Sequence, residues 1–401
     1  MSKINDLIKE LCPNGVKKLK LQDIVKFENG KGHERVVNEY GKYILLTSKA
    51  ISTNMKSYRR TDEQLSPLYK DDITMVMSDL PNGKALAKCF LVDQDNLYTL
   101  NQRICRLTLN GQNILPKYLY YLLNRNCQLL QYDNGVDQTN LRKNDILKVE
   151  LLIPPLEVQE EIVRILDKFG ELEVELEAEL EARQSQYEFW RGKLLAVKDA
   201  RVYKLNDLVD LYLGLTHTPK YVDSGIKFIS SMNISKGYLD LDNTKFISQE
   251  EYNNCTSNAK PKKGDVLYVR VGSNLGHPVI YDLDEEICVF VSVGFARVKD
   301  STILSNRYLK HWMDSDLFMK QVKAKTMNAP KANLNATWMK DFEIFVPNID
   351  EQIRIISLLD KFDKLVNDIT EGIPAEIKLR RKQYEYYRNK LLSFEELSVS
   401  E

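Results

Sequence analysis

Two stretches of this chain carry apolar or aromatic side chains in steps of three and four. In the first stretch these are Ile162, Leu166, Phe169, Leu172, Leu176, Leu180, Tyr187, Trp190 and Leu194, with Arg183 filling the one gap. In the second they are Ile355, Leu359, Phe362, Val366, Ile369, Ile373, Ile377, Tyr384, Tyr387 and Leu391, with Arg380 in the corresponding gap. Such spacing puts one apolar stripe on each of two long helices and predicts a coiled-coil seam. Between Glu171 and Ala182, Glu alternates with Leu, Val or Ala, the period of a half-buried strand. Helix is the stronger reading, because Leu, Glu and Ala favour helix over strand and Leu172, Leu176 and Leu180 stack at helical spacing. A helix of about 40 residues would be roughly 60 Å long. Gly372 and Pro374 predict a break or kink in the second stretch, since proline removes a backbone donor and clashes with the preceding turn.

Outside these stretches the pattern is mixed. Leu119 to Leu130 and Tyr308 to Val322 read as amphipathic helices, whereas Asp72 to Met77, Asp265 to Arg270 and Ile287 to Val293 read as strands bounded by turn residues. The chain also repeats itself. Ile153-Pro154-Pro155-Leu156-Glu157-Val158-Gln159 and Leu166-Asp167-Lys168-Phe169 return 193 residues later as Val346-Pro347-Asn348-Ile349-Asp350-Glu351-Gln352 and Leu359-Asp360-Lys361-Phe362. Gln186-Tyr187-Glu188-Phe189-Trp190-Arg191-Gly192-Lys193-Leu194-Leu195 returns 197 residues later, from Gln383 to Leu392. Upstream, Lys20 to Val25 matches Lys204 to Val209, and Asn140-Leu141 matches Asn333-Leu334. The expected fold is α+β with four segments: modules at 1–150 and 201–343, each followed by a helical segment, at 151–200 and 344–401. The repeat predicts that Gln159 and Gln352 lie in equivalent environments related by a pseudo-two-fold.

Composition narrows the function. The longest nearly apolar run, Ile287 to Ala296, is far short of the roughly 20 residues a bilayer requires. No apolar stretch of signal-peptide length opens the chain, so a cytoplasmic protein is expected. Six scattered cysteines and four dispersed histidines signal neither a disulfide framework nor a zinc site. Phosphate loops, GxGxxG, HExxH and GxSxG are all absent, and no catalytic constellation emerges. The adjacent acids Asp71-Asp72 and Glu285-Glu286 read as solvated surface, and His33 and His217 as polar surface or base-contacting residues. Total charge is zero, but net +6 over 1–150, −6 over 151–200, +2 over 201–343 and −2 over 344–401. Basic modules alternating with acidic helices suit a nucleic-acid binder with protein-docking parts.

Asn140-Leu141 with Ile153 to Leu156 and Gln159, and Asn333-Leu334 with Val346-Pro347 and Glu351-Gln352, each lead into a helix start and Asp-Lys-Phe. In this the whole chain resembles the specificity subunits of type I restriction-modification systems. Asn101 to Leu107 and Gly214 to Lys220 also resemble family segments, although Phe295-Ala296-Arg297 stands where a second Asn-Gln-Arg run would fall. The resemblance implies two tandem α/β target recognition domains joined by two long helices packed as an antiparallel coiled coil. It implies that each domain reads half of a bipartite, gapped site in double-stranded DNA. Methyltransferase subunits, two of them, and through them nuclease-translocase subunits would dock on a non-catalytic chain. The chain itself would bind no cofactor; S-adenosylmethionine, ATP and Mg are implied for the partners. Phosphate and base contacts would come from basic and polar side chains. Candidates in the first module are Lys31, His33, Lys49, Tyr58, Arg59, Arg60, Lys84 and Arg103. In the second they are Thr216, His217, Lys220, Tyr221, Ser231, Asn233, Arg270, Asn274 and Lys331. The alternative from another class is a coiled-coil adaptor whose modules bind proteins rather than DNA.

Overall fold

A computed structural model describes residues 2–397 apart from Glu34, Asn82, Gln112, Lys198, Lys236, Asn243, Ser273, 327–332 and Ile369. Ile369 of the predicted seam and the candidate Lys331 thus lie outside the described residues. The chain divides into two compact units, Met1–Val174 with Leu379–Glu401, and Glu175–Lys378.

In the first unit a four-stranded antiparallel sheet orders Val25–Asn29, Ile104–Leu109, Ile73–Val76 and Cys89–Leu91. A three-stranded sheet orders Arg59–Thr61, Tyr43–Leu46 and Tyr98–Leu100, the last two parallel. Lys17–Lys20 pairs with Glu150–Ile153, closing the module where its chain enters and leaves. The second unit repeats this plan. Its sheets order Val209–Leu213, Val293–Val298, Val266–Val269 and Pro278–Ile280, and Lys245–Ile247, Ile226–Ile229 and Ile287–Val289, with Tyr221–Val222 added at one edge. Arg201–Lys204 pairs with Glu343–Val346.

Three predicted elements are corrected. The run Ile287 to Val293 is not one strand, because Ile287–Val289 pairs parallel with Ile226–Ile229 while Val293 begins a strand of the other sheet. Leu119 to Leu130 divides into Pro116–Leu123 and Cys127–Leu130, separated by Arg125 at φ +57°. Tyr308 to Val322 likewise divides into Asn306–Met313 and Asp316–Thr326.

The first long helix is continuous from Leu156 to Leu195, Glu-rich stretch included. The second is broken into Ile349–Asn367 and Ile373–Leu391. Gly372 sits at the break, where a Cβ would lie 2.5 Å from the Lys364 carbonyl oxygen. Pro374 follows in the first turn of the new helix, where its missing N–H has no intrahelical partner to lose.

The repeated blocks are exchanged between units. In the first unit Phe169 stacks on Tyr387 (5.4 Å between centroids) and meets Tyr384 edge-on (6.4 Å). Farther along, Arg381 Nε donates to Glu173 (2.6 Å), so these contacts run in opposite order along the two helices. In the second unit Tyr187, the counterpart of Tyr384, stacks on Phe362, the counterpart of Phe169 (6.1 Å). Each aromatic pair is worth about 0.5–1.5 kcal/mol beyond the area it buries. Not every predicted seam position is covered. Ile162, Leu166, Ile355, Leu359, Val366 and Leu391 are buried, but Leu172 and Trp190 are exposed. The buried residues of the helices join the modules' own cores: Ile162 and Leu166 pack with Tyr118 and Leu119, and Ile355 and Leu359 with Tyr308 and Leu309.

One short helix of each module docks on a long helix by a repeated set of polar contacts. Tyr121 Oη donates to Asp167 (2.5 Å) and Lys117 pairs with the same carboxylate (2.7 Å). In the second unit His311 Nε2 and Arg307 reach Asp360 (2.7 and 2.8 Å). Tyr118 and Tyr308 donate to the carbonyls of Leu152 and Phe345. Gln128 bonds both backbone groups of Glu150, and Gln321 both of Glu343. Gln159 and Gln352 are fully buried in equivalent settings. Oε1 of Gln159 accepts from Leu115 N (2.9 Å), while Nε2 donates to the carbonyls of Asn113 (3.0 Å) and Pro154 (2.8 Å). Gln352 does the same with Ser305 N (2.9 Å), Ile303 (2.7 Å) and Pro347 (2.9 Å).

Replacing either glutamine by leucine takes the partner from three backbone groups, and at the Pro154 or Pro347 carbonyl the lost bond is buried, at about 1–3 kcal/mol for an unsatisfied group. Gln159→Leu and Gln352→Leu should therefore each cost at least about 2 kcal/mol, read by urea unfolding followed by circular dichroism. A pH effect separates the units. Burial holds the His311 imidazole below its ordinary value, against the pull of Asp360. The unfolded residue takes up a proton near pH 6.5 and the folded one only at lower pH, so the second unit loses stability as pH falls below about 6.5. His311→Tyr, which installs the residue found at the matching place in the first unit, should remove that slope in the same unfolding measurement.

Candidate nucleic-acid interface

The parallel strand pair of each module creates its most distinctive surface. In the first module Tyr43–Leu46 and Tyr98–Leu100 end side by side, with Asn101 N donating to the Leu46 carbonyl (3.2 Å). The chain then turns on both strands at once. Thr47 caps the helix Ser48–Ser52 by accepting from Ala50 N (3.1 Å), and Asn101 turns the other strand by accepting from Gln102 N (2.6 Å). Between these turns lies a recess of about 320 Å³ lined by Thr47, Ser48, Lys49, Asn101, Gln102, Arg103 and Ile104. Lys49, Gln102 and Arg103 are exposed at it. Lys31 meets the end of the second strand, its N–H bonded to the Leu100 carbonyl (3.1 Å). This approach requires Gly30, where a Cβ would stand 2.1 Å from the Asn101 carbonyl oxygen. Strand carboxyl ends are where open α/β sheets bind ligands.

The second module builds the same turns from other residues. Ile226–Ile229 and Ile287–Val289 end together, with Phe290 N bonded to the Ile229 carbonyl (2.8 Å). Ser230 and Asn233 form the helix cap, and Ser231 N donates to Ser292 Oγ (3.1 Å). Gly214 repeats the role of Gly30, a Cβ there lying 2.2 Å from the Phe290 carbonyl oxygen.

Lys31, Lys49, Lys84, Tyr58, Arg59 and Arg103 are exposed, and Arg59 stands opposite Leu45, at the strand end that leads into the recess. Arg60 is half-buried, donating to the Gly41 carbonyl (3.0 Å) with its guanidinium over the Tyr58 ring. Thr216, His217, Lys220, Tyr221 and Asn274 are exposed in the second module and Ser231 partly so. Lys245 sits 4.2 Å over the Tyr221 ring, and Asn274 donates to the Ser235 carbonyl (2.7 Å).

Three candidates are corrected by burial. His33 is 1% exposed; its Nδ1 lies 2.8 Å from the Lys31 carbonyl and its Nε2 3.0 Å from Thr99 Oγ1 and 3.3 Å from Leu65 N. It ties three segments of the module together and presents nothing to a ligand. Asn233 is buried in its cap, donating to the Asp240 carbonyl (3.1 Å). Arg270 is buried against the carbonyls of Leu334 (3.2 Å) and Val291 (2.6 Å), and burial lowers its pKa. Asp72 also departs from the solvated reading: it is buried, accepting from Tyr69 N and Thr108 Oγ1. Sequence reasoning passed over Gln102, Met232 and Ser292. Gln102 lay inside the quoted Asn101 to Leu107 segment, whereas Met232 and Ser292 carry no local signal and are found only by aligning the two modules in three dimensions.

Among the described residues no His, Cys, Asp or Glu cluster could hold a metal ion, and no helix is long and apolar enough to cross a membrane. Two copies of one α/β module, each closed onto a long helix, define a tandem recognition protein. The chain belongs to the type I restriction modification DNA specificity family, whose domain matches residues 13–183 and again 198–379. It is 32% identical to the Type I restriction enzyme EcoR124I/EcoR124II specificity subunit of Escherichia coli over 290 residues, 70% of this chain and 71% of the relative. It is also 32% identical to a putative type I restriction enzyme specificity subunit of Haemophilus influenzae, over 71% of this chain and 74% of that one. In fold it matches a chain from the assembled type I R-M system (TM-score 0.60, 17% identity, 95% of this chain and 98% of the other). It also matches the S subunit from M. genitalium (TM-score 0.52, 16% identity, covering 94% and 96%).

His33 and His217 separate structure from surface. His33→Ala should destabilise the first module by about 1–3 kcal/mol, the cost of orphaning its buried partners. His217→Ala, at an exposed side chain 3.4 Å from Glu251, should change stability by no more than about 0.5 kcal/mol. Parallel urea titrations of both variants check this.

Proposed function

We propose that this chain is the sequence-reading subunit of a type I restriction-modification complex, with each module (1–150 and 201–343) reading one half of a bipartite, gapped site in double-stranded DNA. The observation that carries this is the duplication of a parallel strand-end pair, with the same backbone turns, on two modules anchored to long helices by the same contacts. A reader of a gapped site needs two heads held at a set distance, because successive half-sites on one face of DNA recur about every 34 to 36 Å. The helical segments 151–200 and 344–401 supply that spacing as an antiparallel coiled coil, supported by the exchanged aromatic pairs at Phe169 and Phe362.

The same helices offer docking surface for methyltransferase subunits, two by the symmetry of the repeat, and through them for nuclease-translocase subunits. Exposed Leu172, Val174, Phe189, Trp190, Ile353 and Tyr386 mark where such partners would cover apolar surface. On this reading the chain performs no chemistry in the cytoplasm where it works. S-adenosylmethionine, ATP and Mg belong to its partners.

Co-expression with the methyltransferase subunit and genome-wide mapping of methylated adenines by single-molecule sequencing tests the reading. One bipartite, gapped motif that disappears when this chain is omitted is expected. Methylation indifferent to the chain, despite soluble co-purified protein, would point instead to an adaptor whose modules bind proteins.

A further inference from the structure

The strand-end turns occupy the same place in the two repeated modules and carry different chemistry. Backbone hydrogen bonds fix the correspondence. Lys31 N bonds the Leu100 carbonyl as Leu215 N bonds that of Val289, so Leu215 stands in the place of Lys31. Met77 N bonds the Arg103 carbonyl as Arg270 N bonds that of Ser292, so Ser292 takes the place of Arg103 and Val291 that of Gln102. Thr47 and Ser230 both cap the helix that follows, which sets Met232 opposite Lys49. Lys31, Lys49, Gln102 and Arg103 at the strand ends of the first module thus become Leu215, Met232, Val291 and Ser292 at those of the second. The second module does hold an arginine close by, Arg270, but it is buried on backbone carbonyls. Met232 is 80% exposed, an unusual place for an apolar side chain of its size.

We propose, building on the DNA-reading function above, that these strand-end surfaces are the base-reading sites and that they read different bases. The first recess joins cationic donors on Lys49 and Arg103 to the amides of Asn101 and Gln102. Lysine and arginine match the O6 and N7 acceptors of guanine, and amides pair with adenine, in the major groove. Phosphate contacts would need the cations alone, and neither the amides nor the concavity between the turns. The strand ends of the second module offer a flexible, polarisable thioether and a small hydroxyl with no charge at the matching positions. That chemistry suits the C5 methyl of thymine. The first half-site accordingly contains a G·C pair read by Lys49 and Arg103, and the second a thymine packed against Met232.

The test uses the full-length chain co-expressed with its methyltransferase subunit, with methylated adenines mapped genome-wide for three proteins. The unaltered chain should give a motif with an obligatory G·C pair in one half and an obligatory thymine in the other. In the Lys49→Met, Arg103→Ser double variant, discrimination at that G·C pair should fall about tenfold or more, with the other half-site unchanged. In Met232→Lys, Ser292→Arg, the thymine requirement should weaken, and sites carrying guanine at that position should become methylated at their adenines. Methylation reduced evenly over all sites with an unaltered motif would show that the cations hold phosphates, and would overturn the proposal. If a double variant does not assemble, Met232→Lys alone decides the matter, because its side chain is on the surface. An unchanged motif from that soluble complex refutes the assignment. Failure of the unaltered chain to direct any methylation sinks the DNA-reading function itself, and this inference with it.

Discussion

A buried amide at the head of each long helix governs how the modules are held. Gln159 and Gln352 each bond one backbone donor and two backbone acceptors, on the loop that enters the short docking helix and on the proline carbonyl before the long one. A buried side chain that satisfies three backbone groups leaves little freedom in the angle between module and helix, since a tilt orphans a polar group at the cost of desolvation. The carboxylates of Asp167 and Asp360, two turns farther along, add a second point of attachment to the same short helix. Two points define a rigid joint, and a recognition surface carried on such a joint has a fixed orientation relative to its helix.

The exchange of repeated blocks gives the joint its partner. Each unit combines the first block of one repeat with the second block of the other, so the ring contacts at Phe169 and Phe362 are made by residues about 200 positions apart. A single-copy chain would leave each of these faces open. Duplication therefore supplies the second reading module and also completes the core beneath the first.

The modules diverge where the joint does not constrain them. Residues that tie each module to the strand leading into its long helix keep their chemistry across the repeat, as Tyr118 and Tyr308 or Gln128 and Gln321 do. At the strand ends the backbone hydrogen bonds are kept while the side chains change from Lys, Gln and Arg to Met, Val and Ser. That division suits a protein whose scaffold is shared and whose target differs between its halves.

Amino-acid order alone determined the duplication, the helical stretches, the break at Gly372-Pro374 and the α+β character of the modules, because periodicity and proline chemistry act over a few residues. The family was legible for the same reason: the Pro-Pro and Asp-Lys-Phe blocks are local words. Tertiary structure decided the rest. Whether a polar residue is presented or buried depends on neighbours distant in sequence, so His33 and His217 look alike in the chain, yet Thr99 and Leu65 enclose the first while the second is exposed beside Glu251. Arg270 reads as a contact residue until the carbonyls of Leu334 and Val291 are found around it. Met232 acquires meaning only when parallel strand pairing brings its neighbour Ser231 onto Ser292, 61 residues away in the chain. Burial and juxtaposition are properties of the folded pairings, and no local pattern encodes them.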